Sequence, residues 1–396
     1  MWDLKLVVDL GNGFLKWTVF LEDEGKVWVI AREVQRTKWL RKGKILDGWE
    51  VIASLSQLIE KIKRKIGDDV ISSVVVGLSH PYLKVERIKE LTRILKPQVD
   101  NDNVQHLLRI VEDTVYRPNY DVVKIVPVYW IIDEELKVKD PVWLEAKRLE
   151  LVADIFLLPK NLQDIIADIF AKVDLEVIDI VPNILAASEV ALDIDSKDLG
   201  TLLVDIGHNQ TSFVVWEEWY PLLWWVIPIW AEEVTKDISI GLQVDLQEAE
   251  KIKLQKATLG NLSKNIDDSD TLDMKFLREI VEARYEEIFE KINEQLREID
   301  KEGRLPWGVF LIGWGAKIEW IIDFAKSVLK LAVFEWKDKQ LWLSEISNDI
   351  MFVNSIGVYM WSQKYWWEAG GFVSFFKSGL FSGIGGFFKK LFKNLF

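Results

Sequence analysis

Leu6-Val7-Val8-Asp9-Leu10-Gly11-Asn12-Gly13 is an apolar run that ends in Asp-x-Gly, and a second strand-like run, Phe14 to Phe20, follows at once. The same grammar returns about half a chain later. Leu202-Leu203-Val204-Asp205-Ile206-Gly207-His208-Asn209-Gln210-Thr211 leads directly into Ser212-Phe213-Val214-Val215. Each stretch predicts a β-hairpin with small or polar residues at its tip, and their spacing predicts a duplicated lobe. Such a tip has a chemical use. Glycine lets backbone amides approach an anion closely, and successive amides in a tight turn make a nest for phosphate oxygens. The aspartate at the strand end can hold Mg²⁺ through that ion's retained water. Asp9 and Asp205 are therefore the candidate metal residues. Gly11, Asn12, Gly13 and Lys16 on one side, and Gly207, His208, Asn209, Gln210 and Thr211 on the other, are candidate phosphate contacts. One such hairpin would be read as a plain turn; two, one per lobe, can grip a triphosphate across a cleft.

The rest of the chain alternates. Helical spacing over Trp49 to Ile66 precedes a buried strand, Ile71 to Gly77, and a helix is predicted from Asp102 to Val115. Strand-like runs follow at Val122 to Ile132, interrupted by Pro127, and at Leu149 to Leu158, with a helix from Asn161 to Val173. Leu246 to Leu254 and the long stretch Asp273 to Glu302 are amphipathic, and Val309-Phe310-Leu311-Ile312-Gly313 leads into a helix predicted over Ile318 to Leu329. Strands alternating with helices point to an α/β architecture. At 396 residues, two or three domains are expected. A net charge of −13 argues against nucleic acid as a partner. With no cysteine, disulfides, thiolate metal sites and cysteine nucleophiles are excluded, and a reducing cytoplasm is the expected compartment. The N-terminal residues predict no signal peptide, and no stretch is long and apolar enough to span a bilayer.

Two more segments fit a nucleotide cleft. Ile312-Gly313-Trp314-Gly315-Ala316-Lys317 ends a strand and begins a helix, the place where α/β folds put ligands. Glu248-Ala249-Glu250-Lys251-Ile252-Lys253 carries Glu250 and Lys253 toward a ribose or base, with a plain solvated face as its alternative. No G-x-x-x-x-G-K-[ST] occurs, and Gly11-x-Gly13 lacks the third glycine of a dinucleotide fingerprint.

These elements, in this order, resemble the actin, sugar-kinase and Hsp70 ATPase superfamily, and within it the bacterial cell-division family FtsA. Ile229 to Leu242 resembles the family's PVGG..VT.DIA.GL signature, and Glu248 to Lys253 its EAE.IK. Val126-Pro127 through Asp140-Pro141-Val142-Trp143 resembles the inserted subdomain that ends in NPVG. The resemblance implies a two-lobed actin-like α/β fold of duplicated RNase H-like domains. Lobe 1 would comprise residues 1–82 and 161–192 around an inserted subdomain, 83–160. Lobe 2 would comprise 193–235 and 305–360 around a small subdomain, 236–304, with a linker over 361–385. It also implies ATP and Mg²⁺ as ligands, slow hydrolysis at most, self-assembly into filaments, and the C-terminal peptide of the tubulin-like protein FtsZ as partner. That peptide would dock on the small subdomain, where Arg278, Arg284, Asn293 and Arg297 are candidate contacts for an acidic tail. The second tip departs from the family's glycine run; its His208 invites a catalytic role, but a lone histidine in a turn is more often a bystander, and no catalytic residue is assigned. The alternatives are the pilus-assembly relative PilM and a small-molecule kinase of the same fold.

The last eleven residues, 386–396, form their own pattern. Phe387, Phe388, Leu391, Phe392, Leu395 and Phe396 fall on one helical stripe, and Lys389, Lys390, Lys393 and Asn394 on the other face. An aromatic stripe opposed by lysines suits an anionic membrane interface, and with the resemblance this implies a peripheral place on the cytoplasmic face of the membrane, at the division site. The competing reading is a terminal helix docked on the protein's own core.

Finally, the chain holds 20 tryptophans against 22 glycines. Trp143, Trp230 and Trp314 stand where the family motifs carry glycine; Trp320 follows at another glycine position, and Trp219, Trp224 and Trp225 fall in or beside an expected hairpin turn. Some bacteria read UGA as glycine, and a different code table prints tryptophan there. The rival is a genuinely Trp-rich binding surface.

Overall fold

Both faces of β1 (Asp3–Leu10) are buried, which is why its sequence is a continuous apolar run rather than an alternating one. The computed structural model describes residues 3–11, 13–23, 26–36, 40–41, 44–45, 48–66, 71–208, 210–227, 229, 231–257, 259, 272–336 and 350–368. β1 pairs antiparallel with β2 (Phe14–Asp23), which pairs with β3 (Lys26–Arg36). A two-residue hairpin, β4 (Leu40–Arg41) with β5 (Lys44–Ile45), and α1 (Gly48–Ile66) lead to β6 (Ser73–Leu78), parallel to β1.

The chain then leaves the lobe. β7 (Lys84–Arg93), α2 (Asn101–Thr114), β8 (Tyr120–Ile132), β9 (Leu136–Val138) and β10 (Arg148–Pro159) make a separate antiparallel sheet in the order β7-β10-β8-β9. Along β10 the period of two divides labour. Leu149, Leu151, Ala153, Ile155 and Leu157 enter this sheet's own core, whereas Phe156 and Leu158 join that of the first lobe. Pro127 is accommodated in β8 at a bulge, where Ala153 pairs with it and Val152 pairs with Tyr129.

α3 (Leu162–Ala171), β11 (Glu176–Pro182) and α4 (Asn183–Ala191) complete the first lobe, whose sheet runs β11-β6-β1-β2-β3. After α5 (Ile194–Leu199), the pattern repeats. β12 (Thr201–Ile206), β13 (Thr211–Glu217) and β14 (Tyr220–Ile227) form an antiparallel meander, and β12 pairs in parallel with β15 (Val309–Ile312), itself parallel to β16 (Val333–Glu335). The order β14-β13-β12-β15-β16 reproduces the first sheet strand for strand, with β12 in the place of β1. The duplication expected from the two hairpins is therefore a duplication of whole sheets.

Between β14 and β15 lie α6 (Ala231–Leu242), α7 (Leu246–Lys256) and α8 (Leu272–Glu298), and α9 (Ile321–Leu329) packs beside β16. Leu277, Val281, Tyr285, Ile288, Ile292 and Leu296 of α8 form one buried stripe. α10 (Val353–Glu368) lies along α4. At their crossing Gly357 is required: a Cβ there would sit 2.3 Å from the Ala186 carbonyl oxygen. Among the described residues, no helix is long and apolar enough to cross a membrane.

Two sequence expectations change. Trp224 and Trp225 lie inside β14, paired with Val214 and Phe213, and not in a turn. The helix expected from Ile318 begins only at Ile321, because Trp320 turns the chain with φ 67°. The tail 386–396, Asn12, Asn209 and Trp230 lie outside the described residues.

Candidate functional site

The β1–β2 register sets Asp9 opposite Lys16, and the Lys16 ammonium donates to Asp9 Oδ2 at 2.6 Å in a buried ion pair. The other oxygen of Asp9 accepts from Asn183 Nδ2 at 2.7 Å, and the same amide donates to Ser79 Oγ at 2.8 Å. Asn183 is the first residue of α4, so one strand end and one helix start are tied at this point. The second lobe repeats the device. Asp205 at the end of β12 accepts from Asn354 at the start of α10, Nδ2 to Oδ2 at 3.0 Å. Burial pushes the Asp205 carboxyl above the usual carboxylate range and nearby Asp9 adds to this, against the pull of Asn354 and of Lys16.

The two tips meet. A Cβ on Gly13 would lie 2.0 Å from His208 Cδ2, and the Phe14 and His208 rings are 5.5 Å apart, edge to face. Each tip is tight enough to need glycine: a Cβ at Gly11 would be 2.7 Å from the Phe14 carbonyl oxygen, and at Gly207 2.8 Å from that of Gln210. Because β15 pairs with β12, the loop after it runs beside the second tip. Gly313, with φ 89°, presses so closely that a Cβ would be 2.3 Å from Asp205 Oδ1, and Gly315 stands equally close to Ile206. Tyr285 from α8 donates to the Gly315 carbonyl at 2.8 Å. Ala316 packs against the second core, and Trp314 stacks on Phe14 at 5.0 Å, with Lys317 5.0 Å from the Trp314 ring.

Glu250 and Lys253 lie near the same edge, joined by a 2.7 Å ion pair, and both bond the Thr235 hydroxyl. Burial pushes the Glu250 carboxyl up, but the bonds from Lys253 and Thr235, helped by His208, hold it below the usual range. Thr211 is differently placed: its hydroxyl donates to the Ile229 carbonyl at 2.9 Å, inside the protein.

The donor set suits a hydrated cation and an anion. Three buried oxygens at this junction, Asn183 Oδ1, Asn354 Oδ1 and Gln210 Oε1, have no hydrogen-bond partner, and orphaned buried acceptors of this kind ask for water or a ligand. Two aspartates with such oxygens around them fit a Mg²⁺ ion that keeps most of its water. Asn183, Asn354 and Ser79 escaped the sequence reading. Only Asn183 carried a signal, as an asparagine opening a helix directly after the strand-ending Val181-Pro182.

The proposed peptide contacts separate. Arg284 is held by Asp237 and Glu287, and Arg297 pairs with Glu302 at 3.0 Å. Arg278 is partly buried in α8. Asn293 is corrected: it is 3% exposed and donates to the Val328 carbonyl, holding α8 to α9 and offering no surface to a partner.

Two duplicated sheets with their hairpin tips opposed over paired aspartates define a protein of the actin-like fold. The solved PilM–PilN type IV pilus biogenesis complex agrees over 90% of this chain and 97% of that one, with TM-score 0.64 at 16% identity. MreB5 of Spiroplasma citri bound to AMPPNP agrees over 93% and 98%, with TM-score 0.52 at 12% identity. Two family models narrow the class and together match more than half of the chain: "Cell division protein FtsA" over residues 202–357 and "SHS2 domain inserted in FTSA" over 82–157. The Bacillus subtilis cell division protein FtsA is 26% identical over 83% of this chain and 77% of its own length, and that of Escherichia coli 24% identical over 84% of each. The chain belongs to the FtsA cell-division family.

Proposed function

We propose that this protein binds ATP with Mg²⁺ between its lobes, assembles into filaments, and tethers FtsZ to the cytoplasmic face of the membrane. The observation that carries the nucleotide part is the junction of opposed tips, where buried Lys16 is ion-paired to Asp9, Asp205 ends the facing strand, and three buried oxygens lack partners. Lys16 meets phosphate charge, Asp9 and Asp205 hold the hydrated metal, and the tip glycines admit backbone amides to the phosphates. Bound Mg²⁺ would neutralise phosphate charge; Asn183 and Asn354 keep the aspartates aimed. Glu250 and Lys253 meet the nucleoside side. MreB5, which shares the fold, was solved with AMPPNP in place. Relatives that match over most of their length are cell-division proteins, which supports the adaptor role. Arg278, Arg284 and Arg297 remain the proposed peptide contacts.

The test is recruitment. Fluorescent FtsZ C-terminal peptide is mixed with the protein and anionic liposomes, with and without residues 386–396. Co-sedimentation of the peptide that needs both the protein and its tail is expected. Peptide that stays in solution in every arm would remove the adaptor role, and equal recruitment by both forms would remove the tail as anchor.

A further inference from the structure

Twelve non-glycine residues among those described have positive φ. Five are Asn or Asp, the types that tolerate the left-handed region. Three are tryptophans, at 143, 219 and 320, with φ of 71°, 59° and 67°. The chain's 19 phenylalanines and 8 tyrosines place none of their described members there, so bulk and aromaticity do not explain it.

Each of the three stands where a turn demands glycine. The Leu144 amide donates to the Pro141 carbonyl, closing a turn whose third residue is Trp143. With φ positive at that position and not at Val142, this is a type II turn, which takes glycine there. Ile318 to Ile321 repeats the geometry around Trp320, with φ 67° and ψ 11°. Glu218-Trp219 is the two-residue loop between β13 and β14, with φ positive at both residues, and the second position of such a loop is a glycine position. Trp143 and Trp320 are 75% and 55% exposed, so their rings gain little from packing.

Other tryptophans behave as tryptophans. Trp17 and Trp361 are 1% exposed, and Trp224 is buried with its indole N–H donating to Asp154 at 2.7 Å. Trp314 belongs with the first group. It separates Gly313 from Gly315 in the candidate phosphate loop, and its ring stacks on Phe14 at the mouth of the tips.

We infer that the protein made by its own cells carries glycine at 143, 219, 314 and 320, and tryptophan at 17, 224 and 361. The phosphate loop is then an unbroken run of three glycines from 313 to 315, whose amides face an anion with no indole over them. UGA codons read as glycine produce this pattern. The consequence for the loop rests on the nucleotide reading; the residue identities do not.

Three measurements test it. Peptide mass spectrometry of the protein from its own host, together with its codons, should show glycine and UGA at 143, 219, 314 and 320, and tryptophan and UGG at 17, 224 and 361. Tryptophan encoded by UGG at 143, 219 and 320 overturns the inference. The W143G/W219G/W320G variant should melt several degrees above the all-tryptophan chain, since left-handed tryptophans are strained; a lower melting point also overturns it. Mg·ATP should raise the melting temperature of W314G and not of W314G/K16A. Glycine in the native peptides with no ATP response by W314G would confirm the residue identities and count against the nucleotide reading alone.

Discussion

Glu250 shows how single side chains at the cleft edge set measurable properties. Its carboxylate accepts from Lys253 Nζ at 2.7 Å and from Thr235 Oγ1 at 2.5 Å, and these bonds outweigh burial to hold it below its ordinary value of 4.5. A carboxyl lowered on folding contributes stability that is in full force above its ordinary value and fades as pH falls through the lower folded one. Glu250→Gln keeps the shape and removes the charge. It should therefore unfold at lower urea than the parent at pH 7, with the gap narrowing below about pH 4. A gap of the same size at pH 7 and pH 3 would show that charge is not the cause. At this scale the sequence was legible where chemistry is local: Asp9, Lys16 and the tip glycines lie within one hairpin. It was not legible where the partner is remote. Asn183 is 174 residues from Asp9, and Asn354 is 149 from Asp205, and no local pattern announces either pairing.

Among the elements, β7, β10 and β14 meet at one carboxylate. Asp154 on β10 accepts two bonds from its cross-strand neighbour Arg87, at 2.7 and 2.8 Å, and a third from Trp224 on β14. Arg87 also donates to the Pro221 carbonyl at 2.6 Å, so the inserted sheet is fastened to the second lobe. Asp154 is 1% exposed. Replacing it with alanine leaves the buried Trp224 indole N–H without its acceptor and frees a guanidinium that water already reaches, and stranding the buried donor costs about 1–3 kcal/mol. Asp154→Ala should show that loss in urea unfolding; a loss under about 1 kcal/mol would mean that water replaces the carboxylate. Trp224→Gly should also destabilise, by about 3–5 kcal/mol from lost packing, whereas W219G, one turn away, should not. Strand and helix positions were largely readable from period and length, and the buried runs of β1 and β12 most clearly. The turns were misread around Trp224 and Ile318. A tryptophan beside a turn signal hides which residue carries the positive φ, and only the hydrogen-bond register reveals it.

For the whole molecule the duplication places two similar helices back to back. α4 starts at the asparagine that holds Asp9, and α10 starts beside the one that holds Asp205. Because the helices pack on each other, the two aspartates are joined through the helix pair as well as across the tips, and any change in the helix crossing moves both. At Gly357 the crossing leaves no room for a side chain. Two effects compete in Gly357→Ala. Helix propensity favours alanine by about 0.8–1 kcal/mol within a helix. The new methyl, however, would stand 2.3 Å from the Ala186 carbonyl oxygen and 2.5 Å from its carbon, contacts with backbone that cannot rotate aside. Overpacking of that kind costs about 1–3 kcal/mol, so the clash wins. Gly357→Ala should lower the urea midpoint, and Gly357→Leu should lower it further. Ala186→Gly leaves the offending carbonyl in place and should not rescue either variant. A Gly357→Ala protein more stable than its parent would show that the helices part freely, and that the aspartates of the two lobes are held independently of each other.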